Sequence, residues 1–203
     1  MQKILIDYLE TLSLGRKQSY KNLAVYPLIS DYDVALAYLI LDEALQKEIM
    51  DVVEVDDAGE VPQLKVVNRA DQMVLILDGE ELVGAKQNRI VNTTILIAAN
   101  ATTVIPVSCV EQGRWSYSSS KFSSRKRIMP HGLRAMKAMD VQHCLKRTGK
   151  FQADQSAIWQ EVSGKAQRLN SESETMDMDF IYEKQAPALN KYIQYLNLSL
   201  IHI

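Results

Sequence analysis

Short apolar, β-prone segments follow one another at close intervals through the middle of this 203-residue chain. Turn-forming and charged residues, rather than helical stretches, separate them. The segments are residues 52–56, 64–67, 73–77, 82–87, 90–98 and 104–110. Strands that succeed one another so quickly pair mainly in antiparallel fashion, because parallel pairing needs a long crossover. The pattern therefore predicts a mostly antiparallel β-sandwich or barrel-like body.

Helical spacing of apolar residues replaces this strand pattern near both ends of the chain. Helices are predicted for residues 1–13, 41–48, 131–147 and 154–169. Asp154 can cap the last of these through its carboxylate, and Pro187 can begin a final helix, because proline fits the first helical turn. The result is an α+β chain with a β-rich part at 20–115, followed by packed C-terminal helices at 128–197. We predict that residues 1–197 form a single domain.

Bulk composition argues against several classes of protein. A net charge of −2 gives no general attraction to nucleic acid or to anionic membranes, and the apolar content of 47% is typical of a globular chain. No apolar stretch approaches the roughly 20 residues that span a bilayer, and the N-terminus lacks the features of a signal peptide. Two cysteines are too few for a disulfide framework. We therefore predict a soluble, cytoplasmic protein with no membrane partner and no specific nucleic-acid partner.

The tail at residues 198–203 reads Leu-Ser-Leu-Ile-His-Ile. This peptide is the translation of a transposon end that is used to fragment DNA for sequencing. We interpret it as adapter read-through, so the natural chain is expected to continue beyond Asn197. A natural apolar tail is the alternative.

A dense run of charged and polar residues, 78–89, lies between two of the predicted strands. Charged groups so near a core need solvent, an ion pair or hydrogen bonds. Glu80 or Glu81 is a candidate general base, if burial raises its pKa toward neutrality. The candidate ligand-binding side chains of this run, suited to a phosphorylated or ribose-bearing molecule, are Lys86, Gln87, Asn88 and Arg89. The alternative is an ion-pair network that joins strands and has no catalytic role.

A second polar run, 109–115, closes the last predicted strand, where a rigid scaffold often presents binding groups. Arg114 can bind a phosphate or carboxylate through its fork, and Trp115 can stack on a base or a sugar. Glu111 and Gln112 complete the set of candidate ligand-binding residues. Equally, Trp115 can plug one end of the β body while Arg114 pairs with Glu111.

The remaining candidates carry weaker signals. Segment 116–127 is rich in serine and basic residues and reads as a mobile loop, which either closes over an anionic ligand or is simply solvated. Cys109 has no histidine nearby in the sequence and is interpreted as a buried, inert thiol. No histidine or cysteine pair has the spacing of zinc ligands. Asp78, Glu80 and Glu81 are the carboxylates open to Mg²⁺ or Ca²⁺, but their spacing matches no known binding loop, so no metal is predicted, and the residues identify no cofactor.

At its two polar runs the chain resembles the ARG and rhodanese–phosphatase-superfamily-associated protein domain family. The resembling segments are Val25–Leu28, Leu41–Ala44, Leu77–Arg89 and Ile105–Trp115. The resemblance extends from about Tyr20 to about Val162. It implies an association, through neighbouring genes, with ADP-ribosylglycohydrolases and with NAD and ADP-ribose metabolism. It also implies members that continue beyond this C-terminus, but it carries over no catalytic residue.

These observations lead to one functional prediction with an alternative. The predicted function is binding of a small, anionic, nucleotide-like molecule, such as an ADP-ribose derivative, and in an enzyme version Glu80 or Glu81 would activate water for hydrolysis. The alternative is an interaction or scaffold module in which the two runs form an internal ion-pair brace. The ligand-binding prediction requires that both runs converge on one hollow.

Overall fold

A computed structural model describes residues 2–32, 36–56 and 62–196. The helices of these residues are α1 (Gln2–Glu10), α2 (Leu41–Gln46), α3 (His131–Thr148), α4 (Gln155–Arg168) and α5 (Met178–Tyr195). The strands are β1 (Ser13–Leu14), β2 (Gln18–Tyr20), β3 (Leu23–Val25), β4 (Leu28–Ile29), β5 (Tyr38–Ile40), β6 (Met50–Glu54), β7 (Gln63–Asn68), β8 (Met73–Ile76), β9 (Glu80–Gly84), β10 (Arg89–Val91), β11 (Ile95–Ile97), β12 (Thr102–Cys109) and β13 (Phe122–Ile128).

The central feature is a six-stranded antiparallel sheet with the strand order β13-β9-β10-β12-β7-β6. The sheet curls into a half-barrel, and its two edges approach each other. Asp51 on β6 pairs there with Lys121, which directly precedes β13, at 2.8 Å. With the helices mostly C-terminal to the strands, the predicted α+β class and antiparallel, barrel-like body are confirmed.

Alternation along the strands places two apolar layers on the two faces of this sheet. The concave face holds one layer, which includes Val52, Val66, Ile105, Val107 and Leu82. The other face holds Ile90 and Val110, which pack against α3 and α4 through Leu133, Ile158 and Val162. Each fully buried side chain of this size contributes roughly 1.5–3 kcal/mol. The half-barrel therefore has an apolar interior of its own and a second core beneath the helices.

A smaller sheet has the order β11-β8-β5, in which β5 runs parallel to β8. The long connection through β6 and β7 makes this parallel pair possible. Helix α2 follows β5 directly and buries Leu41 and Ala44 completely, packing against both β6 and β13. The short helix thus covers part of the seam of the half-barrel.

The chain divides into two compact units, Met1–Leu36 with Gln185–Ile203, and Ala37–Lys184. The first unit contains the two-stranded sheets β1–β4 and β2–β3. Within it, the ring of Tyr20 stacks on that of Tyr195, with centroids 4.3 Å apart. The second unit contains the half-barrel, α3 and α4. That residues 1–197 fold as one domain stays a prediction.

Several predicted elements are confirmed. Helices α1, α2, α3 and α4 lie where the helical periodicity placed them, and the Asp154 carboxylate accepts hydrogen bonds from the backbone N–H groups of Ser156 and Ala157 at 2.9 and 3.1 Å. None of the described helices has both the length and the apolar character that crossing a bilayer requires. The tail at 198–203 lies outside the described residues.

Other predicted elements were wrong. Residues 122–127 were predicted to be part of a loop but belong to β13. The strand lacks the usual alternation with apolar residues, because its outer arginines pair with acidic groups of α5. The strand predicted at 90–98 is two strands in different sheets, and the one predicted at 82–87 ends at Gly84. Pro187 lies inside α5, which begins nine residues earlier, at Met178.

Candidate functional site

Strand register collects polar side chains at one end of the concave face. Arg89 begins β10 and lies opposite Cys109, the last residue of β12, so both point to the same face. Glu54 ends β6 opposite Leu64, which lies opposite Ile105, and Ile105 shares its face with Cys109 four residues on. Three strands therefore change from apolar to charged or polar residues at the same end of the half-barrel.

Arg89 is the centre of this polar end and is fully buried. Its Nη1 donates a hydrogen bond to Gln87 Oε1 at 2.9 Å. Its Nε and Nη2 have no hydrogen-bond partner among the described residues. Burial lowers the pKa of Arg89, while the neighbouring Cys109 and Glu54 act in the opposite direction. Buried donors without partners are costly, by about 1–3 kcal/mol each and more for charged groups.

Cys109 and Gln87 flank the guanidinium group. Gln87 Oε1 also lies 3.2 Å from Cys109 Sγ, and Gln87 Nε2 donates to the carbonyl oxygen of Glu111 at 2.9 Å. Burial raises the pKa of the Cys109 thiol, despite the nearby positive charge of Arg89. Cys109 is thus buried, and its protonated thiol is a poor nucleophile.

The two polar runs meet through Glu111 and Arg114. The Nε and Nη2 of Arg114 donate to the two carboxylate oxygens of Glu111 at 2.8 and 2.6 Å. Its Nη1 donates to the carbonyl oxygen of Ala85 at 2.6 Å, and Glu111 Oε2 accepts from the backbone N–H of Asn88 at 3.1 Å. Arg114 therefore fixes the turn that follows β9, and its donors already have partners within the chain.

Asn88 extends this network to Asp177, which was not among the predicted site residues. Asn88 Nδ2 donates to Asp177 Oδ1 at 3.0 Å, and Asp177 forms a β-bridge with Glu111. Asp177 Oδ1 also accepts from the backbone N–H of Asp179 at 3.0 Å, so Asp177 caps α5. Burial, opposed by the Asn88 bond, raises the pKa of Asp177 to about 6. The sequence signal that could have identified Asp177 is its position directly before α5, where an aspartate often caps a helix.

Glu81 lies on the opposite face of the sheet from Arg89. It is paired with Ile90, whereas Arg89 is paired with Leu82. Glu81 is fully buried, and neither carboxylate oxygen has a hydrogen-bond partner among the described residues. Burial, with a smaller contribution from Asp177, raises its pKa to about 8. The sheet thus separates this candidate base from the candidate anchor Arg89.

Glu80 is half-buried at the start of the same strand. Its Oε2 accepts a hydrogen bond from the backbone N–H of Leu77 at 2.8 Å. Burial raises its pKa to about 7, although that hydrogen bond acts against the rise. Glu80 therefore serves first as an acceptor within the turn between β8 and β9.

Trp115 covers the polar end from outside. Its ring lies 5.7 Å from the Arg89 guanidinium carbon and 5.3 Å from Lys86 Nζ, and half of the residue is exposed. Lys86 Nζ also lies 5.2 Å from the ring of Tyr117. Gln112, in contrast, is exposed and lines an open groove of about 540 Å³ beside α4. Gln112 therefore lies apart from the other predicted binding residues, which surround the polar end of the half-barrel.

Comparison with known proteins identifies the family of the chain. A family model for the ARG and Rhodanese-Phosphatase-superfamily-associated Protein domain matches residues 11–201. The chain belongs to this family. No curated protein and no solved structure matches it.

In this family member the described part of the site presents buried hydrogen-bonding groups. Within the described ranges, no group of three histidine, cysteine, aspartate or glutamate side chains is arranged to hold a metal. The interior end offers two donors on Arg89 and one acceptor oxygen on Glu54, all buried and without partners among the described residues. Glu54 was not predicted as a site residue because it ends an ordinary alternating strand.

Proposed function

We propose that this chain is a small-molecule-binding domain whose nucleotide-like ligand enters the polar end of the half-barrel beneath Trp115. One observation carries the proposal. Arg89 is fully buried, and two of its three nitrogens have no hydrogen-bond partner among the described residues. A folded chain keeps such a costly group most readily where a ligand completes its hydrogen bonds. Mouths of β-barrels are also common positions for ligand sites.

A nucleotide fits the side chains around Arg89. The half-exposed Trp115 ring supplies a stacking surface for a base or a nicotinamide-type ring. Lys86 lies beside that ring and brings positive charge toward the rim, where a diphosphate would lie. The family's name joins it to ARG proteins, which supports an ADP-ribose derivative as the ligand class.

Entry of a ligand requires Trp115 to move. The residue belongs to a surface segment in which residues 115–120 are all exposed. Its contacts with Arg89 and Lys86 are cation–π contacts, each worth about 0.5–2 kcal/mol. The binding free energy of a nucleotide can therefore compensate for the loss of these contacts when the indole group rotates.

Binding without turnover is the version that the geometry favours. In a hydrolase version, Glu80 or Glu81 must reach the bond that Arg89 positions. Glu81 faces the helices on the other side of the sheet, and Glu80 accepts a backbone hydrogen bond in a turn. A general base must lie within hydrogen-bond reach of the attacking water.

A second candidate function rests on Arg114. Its hydrogen bonds to Glu111, Ala85 and Ser116 leave it fully engaged within the chain. Together with the Asn88–Asp177 bond, they tie β9, β12 and α5 together. This network supports the alternative of a scaffold module whose polar runs are an internal brace.

A thermal-shift assay with NAD, ADP-ribose and related nucleotides separates the two candidates. Ligand at about 100 times its Kd stabilises the folded state by about 2.7 kcal/mol, or roughly 5–10 °C in Tm for a chain of this size. We expect a shift that Arg89→Lys abolishes and that the control Arg147→Lys, an exposed position on α3, preserves. No shift with any nucleotide would leave the brace as the better account.

A further inference from the structure

Glu54 adds an acceptor to the interior site that Arg89 dominates. The residue is 7% exposed, at the end of β6. Its Oε1 lies 3.4 Å from the backbone nitrogen of Lys86, while its Oε2 has no hydrogen-bond partner among the described residues. The interior end thus presents a carboxylate oxygen in need of a donor, in addition to guanidinium N–H groups in need of an acceptor.

The charges of Glu54 and Arg89 offset each other. Glu54 is close enough to act on the pKa of Arg89, which it raises. A phosphate in this interior would bind the guanidinium group but would repel the Glu54 carboxylate at short range in a low dielectric. A neutral group that carries both a donor and an acceptor avoids this repulsion and can pair with both side chains.

The surroundings favour a flat and largely apolar body for that group. Val107 and Leu82 occupy the neighbouring positions of the same face, and both are fully or almost fully buried. Trp115 lies over the guanidinium group from outside. A planar ring with a polar edge matches these apolar and aromatic neighbours better than a tetrahedral, heavily hydrated anion.

Accepting the proposed function, we infer that the interior end recognises a neutral planar edge with an acceptor beside a donor: the acceptor binds Arg89 Nε or Nη2, and the donor binds Glu54 Oε2. A primary carboxamide and the amino edge of a nucleobase share this chemistry. The diphosphate of a nucleotide then lies outside, toward Lys86. Glu54 sets the specificity and Arg89 provides the anchor.

Matched ligand pairs test the inference on the unmodified chain. Nicotinamide and nicotinate differ in whether the group beside the ring can donate, and adenine and purine differ in the exocyclic amine. We expect isothermal titration calorimetry to show at least tenfold tighter binding of nicotinamide than of nicotinate, or of adenine than of purine. The pair that shows this difference identifies whether a carboxamide or a nucleobase supplies the edge. Nicotinate binding as tightly as nicotinamide, with purine equal to adenine, would overturn the inference.

Failure of the inference and failure of the proposed function give different results. If ADP-ribose binds but pyrophosphate alone reproduces most of its affinity, the ligand site stands and the neutral edge is wrong. If neither ADP-ribose, NAD nor any fragment binds, the proposed function falls, and the inference with it. All of these binding measurements use the unmodified chain.

Glu54→Gln then assigns the discrimination to one side chain. The amide that replaces the carboxylate can itself donate, so the preference for nicotinamide over nicotinate, or for adenine over purine, should shrink to about threefold or less. Glu172→Gln, at an exposed position, should keep the full preference. An unchanged preference in a folded Glu54→Gln protein, with circular dichroism as the folding check, would show that Glu54 does not read the edge.

Discussion

At the scale of single residues, Glu81 is an acid that is fully buried between the sheet and the helices. Its carboxyl group has no hydrogen-bond partner among the described residues, and it remains protonated near neutral pH because its pKa is raised to about 8. A protonated carboxyl is tolerated in an apolar layer far better than a carboxylate. Glu81 is therefore a source of pH-dependent stability, whatever else it does.

The sign of this dependence follows from the raised pKa. The contribution of Glu81 is fully present below its unfolded pKa, about 4.5, and is lost as the pH rises through about 8. Between pH 6 and pH 9, this group alone should remove roughly 3 kcal/mol from the free energy of unfolding. Glu81→Gln should be markedly more stable relative to the unmodified chain at pH 9 than at pH 6.

Urea unfolding at the two pH values measures this difference. Glu172→Gln, an exposed glutamate, serves as the matched control and should follow the unmodified chain at both. An equal pH dependence in Glu81→Gln and in the control would show that Glu81 titrates at an ordinary pKa and that water reaches it.

Sequence reasoning identified most members of the site as individual residues but not their roles. Asn88, Glu111 and Arg114 were predicted and bond to one another, and the predicted Arg89 joins them through Gln87. Whether they bind a ligand stays a prediction. Arg114 and Glu111 form the pair that the alternative foresaw, because two residues three positions apart beyond a strand end easily reach each other.

At the scale of elements, the turn between β9 and β10 depends on a glycine. Gly84 has φ of +131°, and a Cβ atom built there would lie 2.5 Å from Ser119 Oγ and 2.8 Å from the Lys121 carbonyl oxygen. The segment that carries Trp115 can pack against β9 only because this side chain is missing.

Gly84→Ala should therefore destabilise the fold by roughly 2–4 kcal/mol, through backbone strain and the clash with Lys121. Gly132→Ala is the matched control, because no atom lies within 4 Å of its added Cβ and its helical position should make it neutral or stabilising by up to about 1 kcal/mol. Chemical denaturation of both variants checks the contrast. Equal stabilities would mean that the 115–121 segment does not pack on Gly84.

Helices and strands were predicted correctly where buried residues recur with a single period. They were predicted wrongly where ion pairs replace apolar contacts. Helix α4 buries Ile158, Val162 and Ala166 at helical spacing and was found from that spacing. Strand β13 carries Ser-Ser-Arg-Lys-Arg, and the register shift between Ser124 and Ile128 breaks its alternation. Its arginines pair with Asp179 and Glu183 of α5, which no local pattern reveals.

At the scale of the whole half-barrel, the two sheet edges are joined by surface charges. Asp51 on β6 pairs with Lys121 and with Arg69 at 2.8 and 2.7 Å. Both cationic partners keep about half of their side-chain surface exposed, so solvent screens the two pairs and each contributes little to stability. Apolar packing and α2, rather than these pairs, should hold the curl.

Asp51→Asn is accordingly expected to lower the free energy of unfolding by about 1 kcal/mol or less, and the loss should shrink in 1 M salt. The pKa of Asp51 is lowered, chiefly by the Arg69 hydrogen bond, so its contribution should also disappear as the pH falls below its usual range. Unfolding curves at low and high salt measure the effect. A loss of several kcal/mol that salt does not reduce would show that the seam depends on this aspartate.

The α+β class, the antiparallel body and most helices could be predicted from the residues alone, because burial periodicity and turn chemistry are local properties of the chain. The tertiary structure decided which polar residues meet. Asn88 reaches Asp177 across 89 positions, and Glu54 reaches the backbone of Lys86 across 32. It also decided that Glu81 and Arg89 face opposite sides of the sheet, because a residue's face depends on strand register and on where each strand ends. Register is fixed only when distant strands pair and bury their apolar faces together.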